Sequence, residues 1–365
     1  MVHISKHQLF CLMMLFEIGS TSLYILGSEA NQDAWIAILL GTVGGVGLVW
    51  IYIQLQTIFP ENNLVQIIIK LLGKIMGIPL VILYGLYFFY KSGVILREFS
   101  ELILTTYLQR TPVIVISISL MSVIVFVCCL GLEVFGRTSE IFLPIFLIFI
   151  IMTYILVTFS GKINMKELMP ILGRGIMPPI NASYPRILNF PFGEAFVFFM
   201  YWRCVTPKNS VKKTALLAAV LSGLIITISA IIIISALSIE IASQVTVPFL
   251  QVVKLIDIGD ILTNLDAIGV TIIFIGGFYK IAVFFYGTIL VIQTLFNLNS
   301  IKILIIVTGF LVISFSYFFI TSYQFAVWLA QKIHPLLMNT PLLIFNPILL
   351  LGIAKLKIRK GDKSK

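Results

Sequence analysis

Apolar stretches of about 20 residues follow one another along almost the whole chain, parted by short connections that hold most of its charge. Coiled as an α-helix, a stretch of that length matches the hydrocarbon thickness of a bilayer. Within lipid every backbone N–H and C=O must bond inside the protein, which leaves helices or closed barrels. The stretches lack the strict alternation of barrel strands, so helices are expected. Composition agrees. Of the 365 residues 59% are apolar and 11% charged, against about 25% charged in an average soluble domain. One soluble core could not hide so much apolar surface. The expected fold class is an all-α membrane protein with about ten transmembrane helices.

The apolar windows fall at 8–27, 34–55, 78–104, 112–132 and 139–160, then at 179–204, 214–237, 263–296, 301–320 and 336–356. They make a single transmembrane domain over 1–365. Their spacing reads as two five-helix halves, 8–160 and 179–356, followed by a basic tail at 357–365. No direct sequence repeat relates the halves, so the repeat rests on spacing. Segment 60–77 reads as an interfacial stretch on the cytoplasmic side. Segments 160–178 and 238–262 read as the two long external connections.

Lys and Arg gather on the side of the termini, about fifteen there against about seven on the other side. That asymmetry places both termini in the cytoplasm and accounts for the net charge of +10. No basic, aromatic-interleaved surface points to nucleic acid. Cys11, Cys128, Cys129 and Cys204 lie in or beside apolar runs without Cys-x-x-Cys spacing, and the chain has only three His. Neither a metal site nor a cofactor is expected. His3, Lys6 and His7 ahead of an apolar run imitate a signal peptide. Glu17 interrupts that run and no small-x-small cleavage pattern follows, so it is read as a retained first span.

The first and sixth windows carry internal interruptions: Glu17-Ile18-Gly19-Ser20-Thr21-Ser22 and Phe190-Pro191-Phe192-Gly193-Glu194. Gly loses the most entropy in a helix, and Pro removes a backbone donor. A broken helix presents half-helix ends at membrane depth, N–H groups at one and carbonyls at the other. An amino acid is a zwitterion and fits such a pair. Its carboxylate would meet the N–H groups near Ser20, Thr21 and Ser22. Its ammonium would meet carbonyls near Glu17, Ile18 and the 190–192 break. The plainer alternative is that Gly19 and Pro191 only kink packed helices. Interruptions at corresponding places in two halves favour a binding site. The ligand-binding candidates are Gly19, Ser20, Thr21, Ser22, Phe190, Phe192, Gly193 and Glu194.

An ionisable group at the bilayer centre costs at least about 2.5 kcal/mol unless paired or hydrated. The chain places Glu17, Lys91, Arg97, Glu98, Glu101, Glu194, Asp266 and Lys280 inside windows. At helical spacing Tyr87, Tyr90, Lys91, Arg97, Glu98 and Glu101 share one face of the third span. That stripe is an interhelical polar clamp, or else a hydrated path or ligand-coupled charge switch. Arg97 and Glu101, four apart, can pair along it. Glu194 and Lys280 sit at mid-depth and would neutralise each other as an ion pair. Asp266 lies near the outer end of its span and can snorkel to the interface. Gly41, Gly44, Gly45 and Gly47, and Gly269, Gly276 and Gly277, read as close-packing devices. No phosphate loop, His-Glu-x-x-His motif or nucleophile elbow is present, so no enzyme is expected.

Several segments together resemble one family. They are Ile18-Gly19-Ser20-Thr21-Ser22, Asn31-Gln32-Asp33-Ala34-Trp35-Ile36, Arg97-Glu98-Phe99-Ser100-Glu101, Arg110-Thr111-Pro112, Pro170-Ile171-Leu172-Gly173-Arg174-Gly175, Phe190-Pro191-Phe192-Gly193-Glu194 and Asp266-Ala267-Ile268. In order and spacing the chain resembles the B subunit of nutrient germinant receptors, the spore germination permease family. That family is similar in turn to the amino acid–polyamine–organocation (APC) transporters. The resemblance covers nearly the whole chain. It implies a LeuT-like fold of two inverted five-helix repeats with helices 1 and 6 broken. It implies a ligand site between the first, third, sixth and eighth spans. It also implies a germinant receptor A subunit and a C-subunit lipoprotein as partners, in the inner membrane of the spore, and a small-molecule germinant as ligand. The chain departs from the purer Gly-rich first break of such transporters, since Ser-Thr-Ser follows Gly19. Its fifth span offers no Lys that could replace a sodium ion. A germinant-sensing subunit, an amino acid or amine transporter, and a ligand-free structural subunit are the readings left open.

Overall fold

A computed structural model of the chain describes residues 3–256 and 266–362. Eight helices among them are long and apolar enough to cross a membrane, from Ser28–Ile58 to Lys332–Arg359. The chain is a multi-pass integral membrane protein. Two of the expected windows do not appear as single long helices. The first, α1 (Lys6–Thr21), has 16 residues. The sixth is broken into short pieces.

Local chemistry sets the ends of these elements. At the start of α1, Ser5 Oγ accepts from Gln8 N at 3.0 Å and Gln8 Oε1 accepts from Ser5 N at 2.9 Å. This reciprocal cap satisfies two of the otherwise unpaired donors of the first turn. Asn63 and Gln66 do the same at the start of α3 (Leu64–Thr106). In between runs α2 (Ala34–Ile58). Helix α3 includes much of the segment expected to be interfacial, but Gly73, at φ +75°, turns its first leg away from the rest. A side chain there would be strained. Gly131, at φ +97°, likewise parts α4 (Val113–Leu130) from α5 (Leu132–Phe159).

The sixth element begins as α6 (Met177–Ala182), passes through wide π-type turns at Ser183–Ile187, and stops at Phe190 and Pro191. It resumes as tight turns over Phe192–Met200. Beyond it come α7 (Ser210–Leu237), α8 (Ile239–Gln244), α9 (Pro248–Lys254) and α10 (Asp266–Phe296). Then follow α11 (Lys302–Phe319), α12 (Tyr323–Trp328), a π-type stretch over Leu329–Phe345 holding Pro335 and Pro341, and α13 (Asn346–Asp362). The window expected at 263–296 begins in residues 263–265, which lie outside the described residues.

Two sets of contacts mark the two ends of the bundle. At one end Ile4 and Ser5 pair in parallel with Val205 and Thr206. Lys208 meets Glu61 at 3.1 Å there, and Lys357 donates to Leu71 O at 2.9 Å. At the other end Glu29 pairs with Arg186, Gln32 donates to Pro170 O at 3.0 Å, and Leu172 N donates to Asp33 at 2.9 Å. Both described ends of the chain therefore emerge on one side.

Glycines let the core close. Helix α2 seats the broken sixth element in a groove: a Cβ on Gly41 would strike Ile187, and one on Gly45 would strike Phe192. The carbonyls freed by the irregular stretches are met by tyrosines. Tyr84 donates to Leu342 O at 2.7 Å, and Tyr52 donates to Gly193 O at 3.2 Å and to Leu343 O. Non-helical backbone at membrane depth is tolerated only with such partners.

Candidate functional site

The centre of the site is Glu194, fully buried just past the Pro191 break. Its carboxylate lies between two ammonium groups, Lys91 Nζ at 2.6 Å on one oxygen and Lys280 Nζ at 3.0 Å on the other. Lys91 comes from α3 and Lys280 from α10, so one carboxylate ties three elements together. Lys280 is itself fully buried and lies over the rings of Phe16, at 4.7 Å, and Phe190, at 4.3 Å. Ring faces are negative and add to the hold on a desolvated cation. The expected Glu194–Lys280 pair is present. Lys91 was expected only on the polar stripe of the third span, and the break brings Glu194 to it.

A cavity of about 390 Å³ reaches this ion cluster. Its walls include Ser20 and Tyr24 at the end of α1, Lys91 and Glu98 on α3, and Asn189, Phe190 and Glu194 at the break. Glu29 and Arg186 also line it, which sets its mouth at the end of the bundle away from the termini. Toward the termini an aromatic cluster closes it. Phe16 packs edge-on to Phe198 at 5.4 Å and Phe284 at 5.2 Å, and Tyr84 stacks on Phe196 at 4.8 Å.

Several expectations are corrected here. Helix α1 stops at Thr21, inside the expected interruption, with Glu17, Ile18, Gly19 and Ser20 still helical. Ser22 N still bonds Ile18 O at 3.2 Å. Ser20, Thr21 and Ser22 therefore offer no half-helix N–H groups to an anion; the end of α1 presents carbonyls. The hydroxyls of Thr21 and Ser22 are spent on Glu17 O, at 2.5 Å, and Ile18 O, at 2.8 Å. Gly19 serves packing instead. A Cβ there would stand 2.6 Å from the Cα of Gly276, so these two glycines permit the crossing of α1 and α10. Gly19, Thr21, Ser22, Phe192 and Gly193 do not line the cavity, whereas Ser20, Phe190 and Glu194 do.

The remaining charges divide. Arg97 and Glu101 pair at 2.7 Å, and Arg97 also donates to Thr321 O at 3.1 Å. Both stand apart from the cavity lining, so this part of the stripe is a clamp. Glu98 lines the cavity two turns along the same face of α3 from Lys91. Glu17 is fully buried, with the Ser222 hydroxyl and the charge of Lys280 acting on its carboxylate. No group of His, Cys, Asp and Glu among the described residues is placed to hold a metal ion.

The wall contributed by Leu329–Phe345 was missed. His334 and Asn339 line the cavity, with Tyr90 O–H 2.6 Å from His334 Nε2 and Tyr87 donating to Asn339 Oδ1 at 3.0 Å. The signal was a run of polar residues and prolines, His334-Pro335 and Asn339-Thr340-Pro341, at the head of the last apolar window.

The fold has counterparts. Over 90% of its length the chain superposes, at TM-score 0.63 and 11% identity, on 75% of Mhp1, a nucleobase-cation-symport-1 family transporter solved closed with bromovinylhydantoin bound. It also superposes, at TM-score 0.54 and 14% identity, on a variant manganese transporter of Eremococcus coleocola, over 96% of this chain and 76% of that one. The fold is thus that of the LeuT-like transporters. In sequence the chain is 30% identical to spore germination protein KB of Bacillus subtilis (strain 168), over 99% of this chain and 97% of that protein. It is 28% identical to spore germination protein YndE of the same organism, over 62% of each. The family model described as spore germination protein matches residues 3–324. With that match along most of its length, the chain belongs to the spore germination protein (spore permease) family.

Proposed function

We propose that the protein is the membrane-embedded, nutrient-sensing subunit of a spore germination receptor and binds a small zwitterion such as an amino acid in this cavity. The observation that carries the reading is Glu194, held between two lysines beside the break and reached by a cavity whose lining extends to Glu29 and Arg186. Two ammonium groups share one carboxylate, so Lys91, on the cavity wall, has positive charge to offer a ligand carboxylate. The carbonyl end of α1 and Glu98 would receive the ligand's ammonium, the reverse of the polarity expected at α1. The end of the bundle bearing the termini carries the basic tail and is assigned to the cytoplasm. A larger A subunit and a C-subunit lipoprotein, in the inner membrane of the spore, are its proposed partners, and two inverted five-helix halves its proposed plan. It is proposed to carry out no chemistry on its ligand.

Lys91→Met tests this reading, because Glu194 keeps Lys280 and the buried charge stays balanced. Spores carrying the variant are titrated with a panel of amino acids while the subunit is quantified by immunoblot. The ligand concentration for half-maximal germination should rise by about tenfold or more at normal subunit level. An unchanged dose–response curve would remove the cavity from the account. The transporter fold supports a second reading, net transport of the same ligand. Uptake into liposomes that falls with the same variant would favour it.

A further inference from the structure

The ionic cluster occupies one wall of the cavity; a neutral polar wall faces it from Asn189 and the Leu329–Phe345 stretch. Asn189 is fully buried, and its amide orientation is set by its neighbours. Its Nδ2 donates to Pro335 O at 3.0 Å and to Thr340 Oγ1 at 2.8 Å. Turning the amide over would set oxygen against the Pro335 carbonyl. Asn189 Oδ1 is therefore an acceptor, and it has no partner among the described residues. His334, one residue before Pro335, is 2% exposed. Its Nε2 is engaged by Tyr90, and its Nδ1 has no partner among the described residues. Both side chains line the cavity.

A buried polar atom without a partner costs about 1–3 kcal/mol. Two of them on one cavity lining, linked through the Pro335 carbonyl that Asn189 bonds, indicate a group that satisfies both. We infer that Asn189 and His334 form a second subsite, which reads a hydrogen-bonding side chain on the ligand, a hydroxyl or a carboxamide. The ligand's N–H or O–H donates to Asn189 Oδ1. His334 Nδ1 pairs with its oxygen when Nε2 accepts from Tyr90, the imidazole then carrying its proton on Nδ1. This deepens the reading of the cavity as a zwitterion site and rests on it.

Isosteric probe pairs test the inference. L-asparagine against L-leucine and L-threonine against L-valine differ in polarity at nearly constant shape. A site built to bond a polar group rejects the analogue that lacks it, because its own atoms are left unpaired. Binding of all four is measured by titration calorimetry on the full-length protein in lipid nanodiscs. The polar member of at least one pair should bind more tightly by tenfold or more. In Asn189→Leu that preference should vanish or invert, and His334→Phe gives a second reading if Asn189→Leu fails to insert. Equal or tighter binding of both apolar members to the wild-type protein would overturn the subsite while leaving the cavity reading intact. Binding of none of the four would overturn both.

Discussion

The first and sixth elements looked alike in sequence and are built differently. Each has a glycine beside a glutamate at mid-depth. In the sixth, the chain breaks at Phe190 and Pro191, and Glu194 stands in the first turn of the next piece at the cavity, clasped by Lys91 and Lys280. In the first, Gly19 stays helical and its missing side chain admits Gly276 of α10. Glu17 follows the same division: it stays off the cavity, buried beside the Ser222 hydroxyl. Proline removes a backbone donor and interrupts the ladder of bonds. Glycine alone only lowers the cost of bending and lets a neighbour come close. The Gly-Ser-Thr-Ser run ends α1 at Thr21 without a proline, and the Thr21 and Ser22 hydroxyls bond back onto the helix they terminate.

The largest effect is expected where the sixth element departs most from the first. Glu194→Gln leaves two buried ammonium groups without their carboxylate, and unpairing one buried charge costs about 3–5 kcal/mol. The detergent-solubilised protein should lose most of its thermal stability in a melt followed by size exclusion, while Glu17→Gln, which breaks no ion pair among the described residues, should cost far less. Equal losses from the two would erase the contrast between the elements.

The crossing of α1 and α10 comes next. Gly19→Ala or Gly276→Ala forces the two backbones apart, at about 1–3 kcal/mol. The expected result is a lower melting temperature and less membrane-inserted subunit, not a selective loss of ligand response. Normal accumulation with a shifted dose–response curve would instead restore Gly19 to the ligand site. Gly193→Ala should cost less, since its new Cβ would meet Leu188 O at 3.2 Å and no backbone closer.

The clamp on α3 should be weaker again. Glu101→Gln leaves Arg97 its bond to Thr321 O, so a loss of roughly 1 kcal/mol is expected. Charge reversal of both residues should recover part of it. The smallest effect belongs to Ser22→Ala, whose hydroxyl serves only its own helix. Stability should move by under about 0.5 kcal/mol, and the germination dose–response should not change.

The apolar windows made the helices legible, because bilayer thickness leaves little choice of length. The Arg97–Glu101 pair and the Glu194–Lys280 pair were legible too, the first from helical spacing and the second from depth. Sequence could not show that Lys91 also reaches Glu194, since that depends on how the wide turns of 183–187 swing the sixth element across α3. Nor could it show the polar wall. His334 lies just ahead of the window at 336–356, where hydropathy counts it as connection, and only the π-type coil over Leu329–Phe345 carries it to the cavity. The assignment of Gly19 failed for a related reason: a packing glycine and a hinge glycine read identically until the partner helix is seen.

The central claim is that the ion cluster is reached from the end of the bundle that bears Glu29 and Arg186. Alkylation by a membrane-impermeant maleimide measures this directly, in a background with Cys129 and Cys204 replaced by Ser. Ser20→Cys, on the cavity wall, should react from that side and be protected by a bound ligand, whereas Ser222→Cys, fully buried on α7 and off the cavity, should stay unreacted. Reaction of Ser20→Cys only from the side of the termini, or at the same rate as Ser222→Cys, would contradict the account.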